Sequence, residues 1–143
     1  MKLGFKRGDH WYSAIVRTVL NSQWSHGVIC INDRLYESVA LKGIHPNAGV
    51  RDYPITDDIA SQYEWFDIGG DDSAALARHE AVKGSGYDFF SELSFLPIFN
   101  ARDAKRFYCY ELVIFMMGYS VKWRVTPEII MTYILRQQSK EKP

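Results

Sequence analysis

The sequence predicts an α+β domain that combines a β-hairpin and further strands with helices, and three features of the chain predict it. A short apolar run, HGVICI, is followed after Asn32 and Asp33 by a second, RLYESVAL, which reads as a β-hairpin. The stretch FYCYELVIFMMGY is apolar on nearly all sides, the pattern of a buried central helix. The chain has 143 residues with no internal repeat or long linker, so residues 1–143 are expected to form a single domain around one core.

Taken in order, Asp9 is placed to cap a short helix through Trp11, Ile15, Val16, Val19 and Leu20, whose spacing puts apolar side chains on one face, and Asn21 and Ser22 end it. The hairpin follows Trp24. Gly43, Asn47 and Gly49 mark a loop over 42–49, and Val50 to Ile55 reads as a short strand that Pro54 confines to a sheet edge. Ser61 to Ile68 is aromatic and is stopped by Gly69 and Gly70, and it too reads as a strand. Asp71 or Asp72 caps a helix in which Ala75, Leu76, His79 and Val82 recur at helical spacing before Gly84 ends it. In GSGYDFFSELSFLPIFN neither period dominates, which suits a buried loop or a short helical piece. Gly118 ends the central apolar helix. Thr126, Pro127 and Glu128 make a strong helix start that runs through Ile129, Ile130, Tyr133 and Ile134 to a polar tail at 140–143.

Composition excludes several function classes. Seventeen basic residues balance seventeen acidic ones, so no global field draws the chain to nucleic acid or to an anionic membrane. Basic residues interleave with aromatics only at Arg102, Lys105 and Arg106, too few for a nucleic-acid surface. There is no secretion signal at the start and no apolar run of the roughly 20 residues that span a bilayer, so a cytoplasmic location is expected. The two cysteines, Cys30 and Cys109, allow at most one bridge, and reduced thiols are expected. His10, His26, His45 and His79 show no HxH, HExxH or CxxC spacing, and no GxGxxG or GxxxxGKS occurs. The pairs Asp57–Asp58 and Asp71–Asp72 read as caps and solvated turns. Neither a metal nor another cofactor is expected.

Three residues combine into chemistry. A helix that begins within a residue or two of Tyr108 puts the Cys109 thiol on its first turn, where unbonded N–H groups and the positive dipole end favour thiolate. Those N–H groups would also stabilise an oxyanion. The alternative is a structural cysteine, since free Cys is among the most buried residue types. His26 opens a buried strand, an unusual place for a polar ring without a partner. A two-residue turn at Asn32 and Asp33 pairs residues whose numbers sum to 65, which makes Glu37 the diagonal neighbour of His26, within reach of a hydrogen bond. A turn of odd length would put Glu37 on the opposite face. The pair either orients a catalytic imidazole or only stabilises the hairpin. Cys30, on the His26 face by parity, has no helix-terminal field and reads as a core residue.

Laid out in this order, the chain resembles the circularly permuted papain-like cysteine hydrolases, the NlpC-like proteins of the YiiX and YaeF type, and more distantly the lecithin retinol acyltransferases. The strings that carry the resemblance are WSHGVICIN, LYESV, GSGYDFF, FYCYELV and VTPE, spread from Trp24 to Glu128 with histidine before cysteine, as in the permuted group. The resemblance implies a small sheet with the cysteine helix facing the histidine strand, Cys109 as nucleophile, His26 as general base and Glu37 as the residue that orients it. It also implies that Tyr87 lines a substrate cleft, and Tyr108 and Tyr110, on either side of Cys109, are expected to bind substrate with it. Two positions depart from the family pattern: Tyr110 stands where a small residue is common, a substitution expected to narrow or cover the cleft, and Gly27 replaces an apolar residue after the histidine. The implied activity is a thiol hydrolase acting on a peptide-type amide. A lipid-type ester hydrolase or acyltransferase, or an inactive binding module on the same fold, are the alternatives.

Overall fold

Asn32 and Asp33 carry positive φ angles of 49° and 56°, the pair of left-handed residues that a type I′ turn requires and that short polar side chains tolerate. The turn joins β2 (His26–Ile31) to β3 (Arg34–Val39), and Ile29 faces Tyr36, Cys30 faces Leu35 and Ile31 faces Arg34, the sum-to-65 register. The structure, a computed structural model, describes residues 1–9, 11–39, 48–86, 108–120 and 125–140. Its other elements are β1 (Lys2–Lys6), α1 (Trp11–Leu20), β4 (Gly49–Pro54), α2 (Asp57–Ala60), β5 (Glu64–Asp67), α3 (Asp72–Val82), α4 (Cys109–Met116) and α5 (Pro127–Lys140). The strands form one antiparallel sheet in the order β4-β3-β2-β1-β5, so the protein is α+β.

Pro54 does lie on an edge strand, and the loop after α3 covers that edge: Val50 N–H donates to Ser85 O at 2.8 Å and Gly84 N–H to Val50 O at 2.9 Å. Two elements lie outside the sequence expectation. One is β1, where Leu3 and Phe5 alternate with Lys2, Gly4 and Lys6. The other is α2, a single turn capped by Thr56, whose hydroxyl accepts from Ile59 N–H. Asp71 is the residue that caps α3.

The period of two divides the sheet. One face presents Leu3, Phe5, Ile29, Ile31, Tyr36 and Val50 to the apolar helix α4, which also touches α3 and α5. Ala75, Val16, Leu20, Ile130 and Ile134 complete that core. Ile15, expected on the buried face of α1, is instead 44% exposed, because Val16 and Leu20 take the core-facing positions. The opposite face carries His26, Val28 and Cys30 of β2 with Leu35 and Glu37 of β3, and Val28 and Leu35 are fully buried there. Gly4 is required on this face: a Cβ would stand 2.7 Å from the Trp65 ring and 2.9 Å from Val28. Among the described residues, no helix is long and apolar enough to cross a membrane.

Candidate active site

Cys109 is the first residue of α4, with extended Tyr108 as its N-cap. The first bond within the helix is Leu112 N–H to Tyr108 O at 3.1 Å, so the Cys109 N–H precedes it. The helix lies on β2 and β3. Its start reaches the beginning of β2, where the Tyr110 ring presses on Gly27 and Cys109 stands close enough to the neighbouring His26 ring to raise its pKa. The three residues singled out in the sequence thus meet in one place. His26 Nε2 is 2.7 Å from Glu37 Oε2, which leaves Nδ1 for the thiol. Glu37 is 3% exposed and His26 22%.

Charge follows from these contacts. Burial works against a protonated His26, but the hydrogen bonds and charges of Cys109 and Glu37 outweigh it and push its pKa up to about 10. Burial likewise opposes an ionised Glu37, yet the bonds and charges of His26 and Arg51 hold its carboxyl down at about 2. At neutral pH the pair is an imidazolium against a carboxylate.

Arg51 has no counterpart in the sequence reading. It is the register partner of Glu37 across β3 and β4, and its Nε and Nη2 donate to Glu37 Oε1 at 2.9 and 2.6 Å. Tyr63 also flanks the site, its ring centroid 6.4 Å from that of His26, with Lys6 Nζ 5.6 Å above it. Burial, then the nearby negative charge of Glu37, pushes the Tyr63 hydroxyl far above its ordinary range. Neither residue lies in a motif with a fixed spacing to Cys109 or His26.

Tyr108 and Tyr110 are corrections. Both were expected beside a cleft, and both are in the core, 1% and 0% exposed. The Tyr108 hydroxyl donates to Val125 O at 2.5 Å and accepts from Val125 N–H at 2.6 Å. A Cβ at Gly27 would stand 2.8 Å from the Tyr110 ring, so the glycine makes the space that the large side chain fills. Tyr87 lies outside the described residues, as do His10, His45, Arg102, Lys105 and Arg106.

Cys30 lies four residues along β2 from His26, on the same face of the sheet. Burial and then Asp33 push its thiol up, toward the protonated form. His79 is fully buried, edge-on to Tyr36 at 4.8 Å, and burial lowers its pKa. Among the described residues Asp52, His79 and Glu80 bring potential ligand atoms within 4.8 Å of one another. The Lys83 ammonium already sits on that group, 2.6 Å from Asp52 Oδ1 and 3.5 Å from Glu80 Oε1, and supplies the positive charge there. No protein-family model matches the chain, and no curated protein matches it.

Proposed function

We propose that this chain is a thiol-dependent hydrolase of the circularly permuted papain-like type, acting on a peptide-type amide through an acyl-enzyme on Cys109. The observation that carries the reading is the line Cys109, His26, Glu37: a thiol on a helix start, an imidazole beside it, and a buried carboxylate 2.7 Å from one ring nitrogen. His26 takes the Cys109 proton and, with its raised pKa, holds it at neutral pH. The sulfur attacks the carbonyl carbon, and the Cys109 N–H at the helix start stabilises the oxyanion. The amine leaves with the proton from His26. Water then attacks the thioester, giving its proton back to the ring, and the acid departs as the sulfur is released. The same steps act on an ester or pass the acyl group to another acceptor, so a lipid-type ester hydrolase or acyltransferase is the variant within this chemistry.

Burial of Cys109, 1% exposed, favours a second reading, a binding module on this fold that does no chemistry. Alkylation by iodoacetamide at pH 7 separates the two. Cys30 is the more accessible thiol, so exposure alone predicts that it labels first. The hydrolase reading predicts the reverse, Cys109 faster by about 10-fold or more, and slowed by His26→Ala. Slow labelling of Cys109 that His26→Ala does not change would leave the binding module.

A further inference from the structure

Arg51 stands two strands from His26 on an edge strand, where an arginine is ordinarily a solvated charge. Its surroundings are not ordinary. Two of its nitrogens grip one oxygen of Glu37, while the other oxygen of the same carboxylate meets His26 Nε2 at 2.7 Å. The guanidinium is itself held over the Tyr53 ring, Cζ 5.3 Å from the centroid. A single row of side chains therefore crosses β4, β3 and β2 and ends at the first turn of α4.

We propose that Arg51 is a positioning residue of the Cys109 centre, fixing the plane and the charge of Glu37 and, through Glu37, the orientation of the His26 ring. A buried carboxylate bonded through one oxygen alone is free to rotate about its last bond, and burial favours its neutral form. The fork on Oε1 removes both freedoms. The groups that face Glu37 are His26 from β2, Arg51 and Tyr53 from β4, and Tyr63 from the segment before β5. Of these, His26 and Arg51 are the cations, and the His26 charge is the one the proposed reaction removes and restores. When the ring is neutral, Arg51 is the charge that keeps Glu37 ionised and ready to accept from Nε2–H. A neutral Glu37 would present an O–H of its own, and the ring would lose the acceptor that points Nδ1 at the thiol.

The role rests on the hydrolase reading, so the experiment has two readouts. Nitrogen-15 spectra of histidine-labelled protein, with the His26 signals assigned by His26→Ala, report the ring, and iodoacetamide reports the sulfur. In Arg51→Met the His26 tautomer signals are expected to shift and average. Cys109 alkylation at pH 7 is expected to fall about 10-fold, and its acid limb to move up by about one pH unit. Arg51→Lys keeps the charge without the fork, so the acid limb stays in place while the ring signals still average. That variant decides the matter if Arg51→Met does not fold. Wild-type ring signals and an unmoved pH profile in both variants would reduce Arg51 to a sheet-edge stabiliser. A Cys109 that is inert in the wild type and indifferent to His26→Ala would overturn the hydrolase reading, while the ring signals would still decide whether Arg51 holds Glu37 and His26 in place.

Discussion

One hydroxyl closes both backbone groups of Val125, and it belongs to a tyrosine expected from the sequence to bind substrate. Replacing Tyr108 with Phe leaves a buried N–H and a buried C=O without that partner. The expected cost is about 1–3 kcal/mol, read in denaturant unfolding; an unchanged midpoint would mean that the clamp contributes nothing. Tyr108 and Tyr110 were misread because an aromatic side chain next to a candidate nucleophile looks the same in sequence whether it lines a cleft or fills a core. What decides is the residue opposite, and that is set by tertiary packing. His26 and Glu37 were legible for a different reason: the two-residue turn at Asn32 and Asp33 fixes parity, and parity fixes which side chains can touch. Arg51 was not legible, because nine residues, 40–48, separate β3 from β4 and their sequence does not fix the register that puts it opposite Glu37.

At the scale of the element, the contact between α4 and β2 depends on an exchange of sizes. Gly27 gives up its side chain and Tyr110 takes the space, so the helix start can lie close enough for Cys109 to reach His26. Gly27→Ala puts a methyl 2.8 Å from a fully buried ring that has no room to retreat. It is expected to destabilise the fold by about 1–3 kcal/mol, and to cost much less in a Tyr110→Ser background, where the ring is gone. Equal losses in the two backgrounds would show that the pair is not coupled. The strand β1 escaped notice because its five residues hold two lysines and a glycine, and its pairing depends wholly on distant partners: β2 on one side and β5 on the other. Only the alternation of Leu3 and Phe5 marks it, and five residues give that period little weight against the charge around it. The helices were easier, since caps such as Asp71 and Thr126 are local chemistry.

Across the whole molecule, basic and acidic residues balance, so the pH dependence of stability near neutrality is governed by buried pairs rather than by net charge. Glu37 has an ordinary value of 4.5 and a folded value of about 2. Its contribution is therefore complete above about pH 4.5 and lost as pH falls toward 2, an effect of roughly 3 kcal/mol. His26 moves the other way, from 6.5 to about 10, so its contribution is complete below about pH 6.5 and lost as pH rises toward 10. Thermal unfolding should give a plateau between about pH 4.5 and 6.5 with a decline on either side. Both slopes draw on the same His26–Glu37 contact, so Glu37→Gln should flatten the acid side and shrink the alkaline side together. Cys109→Ala should spare the acid side and shrink the alkaline one more, because Cys109 is the largest influence raising the His26 pKa. A Glu37→Gln curve parallel to the wild type at every pH would mean that the carboxylate and the ring are neighbours without being charged partners. The proton that the proposed reaction needs on His26 would then have no counterion to hold it there.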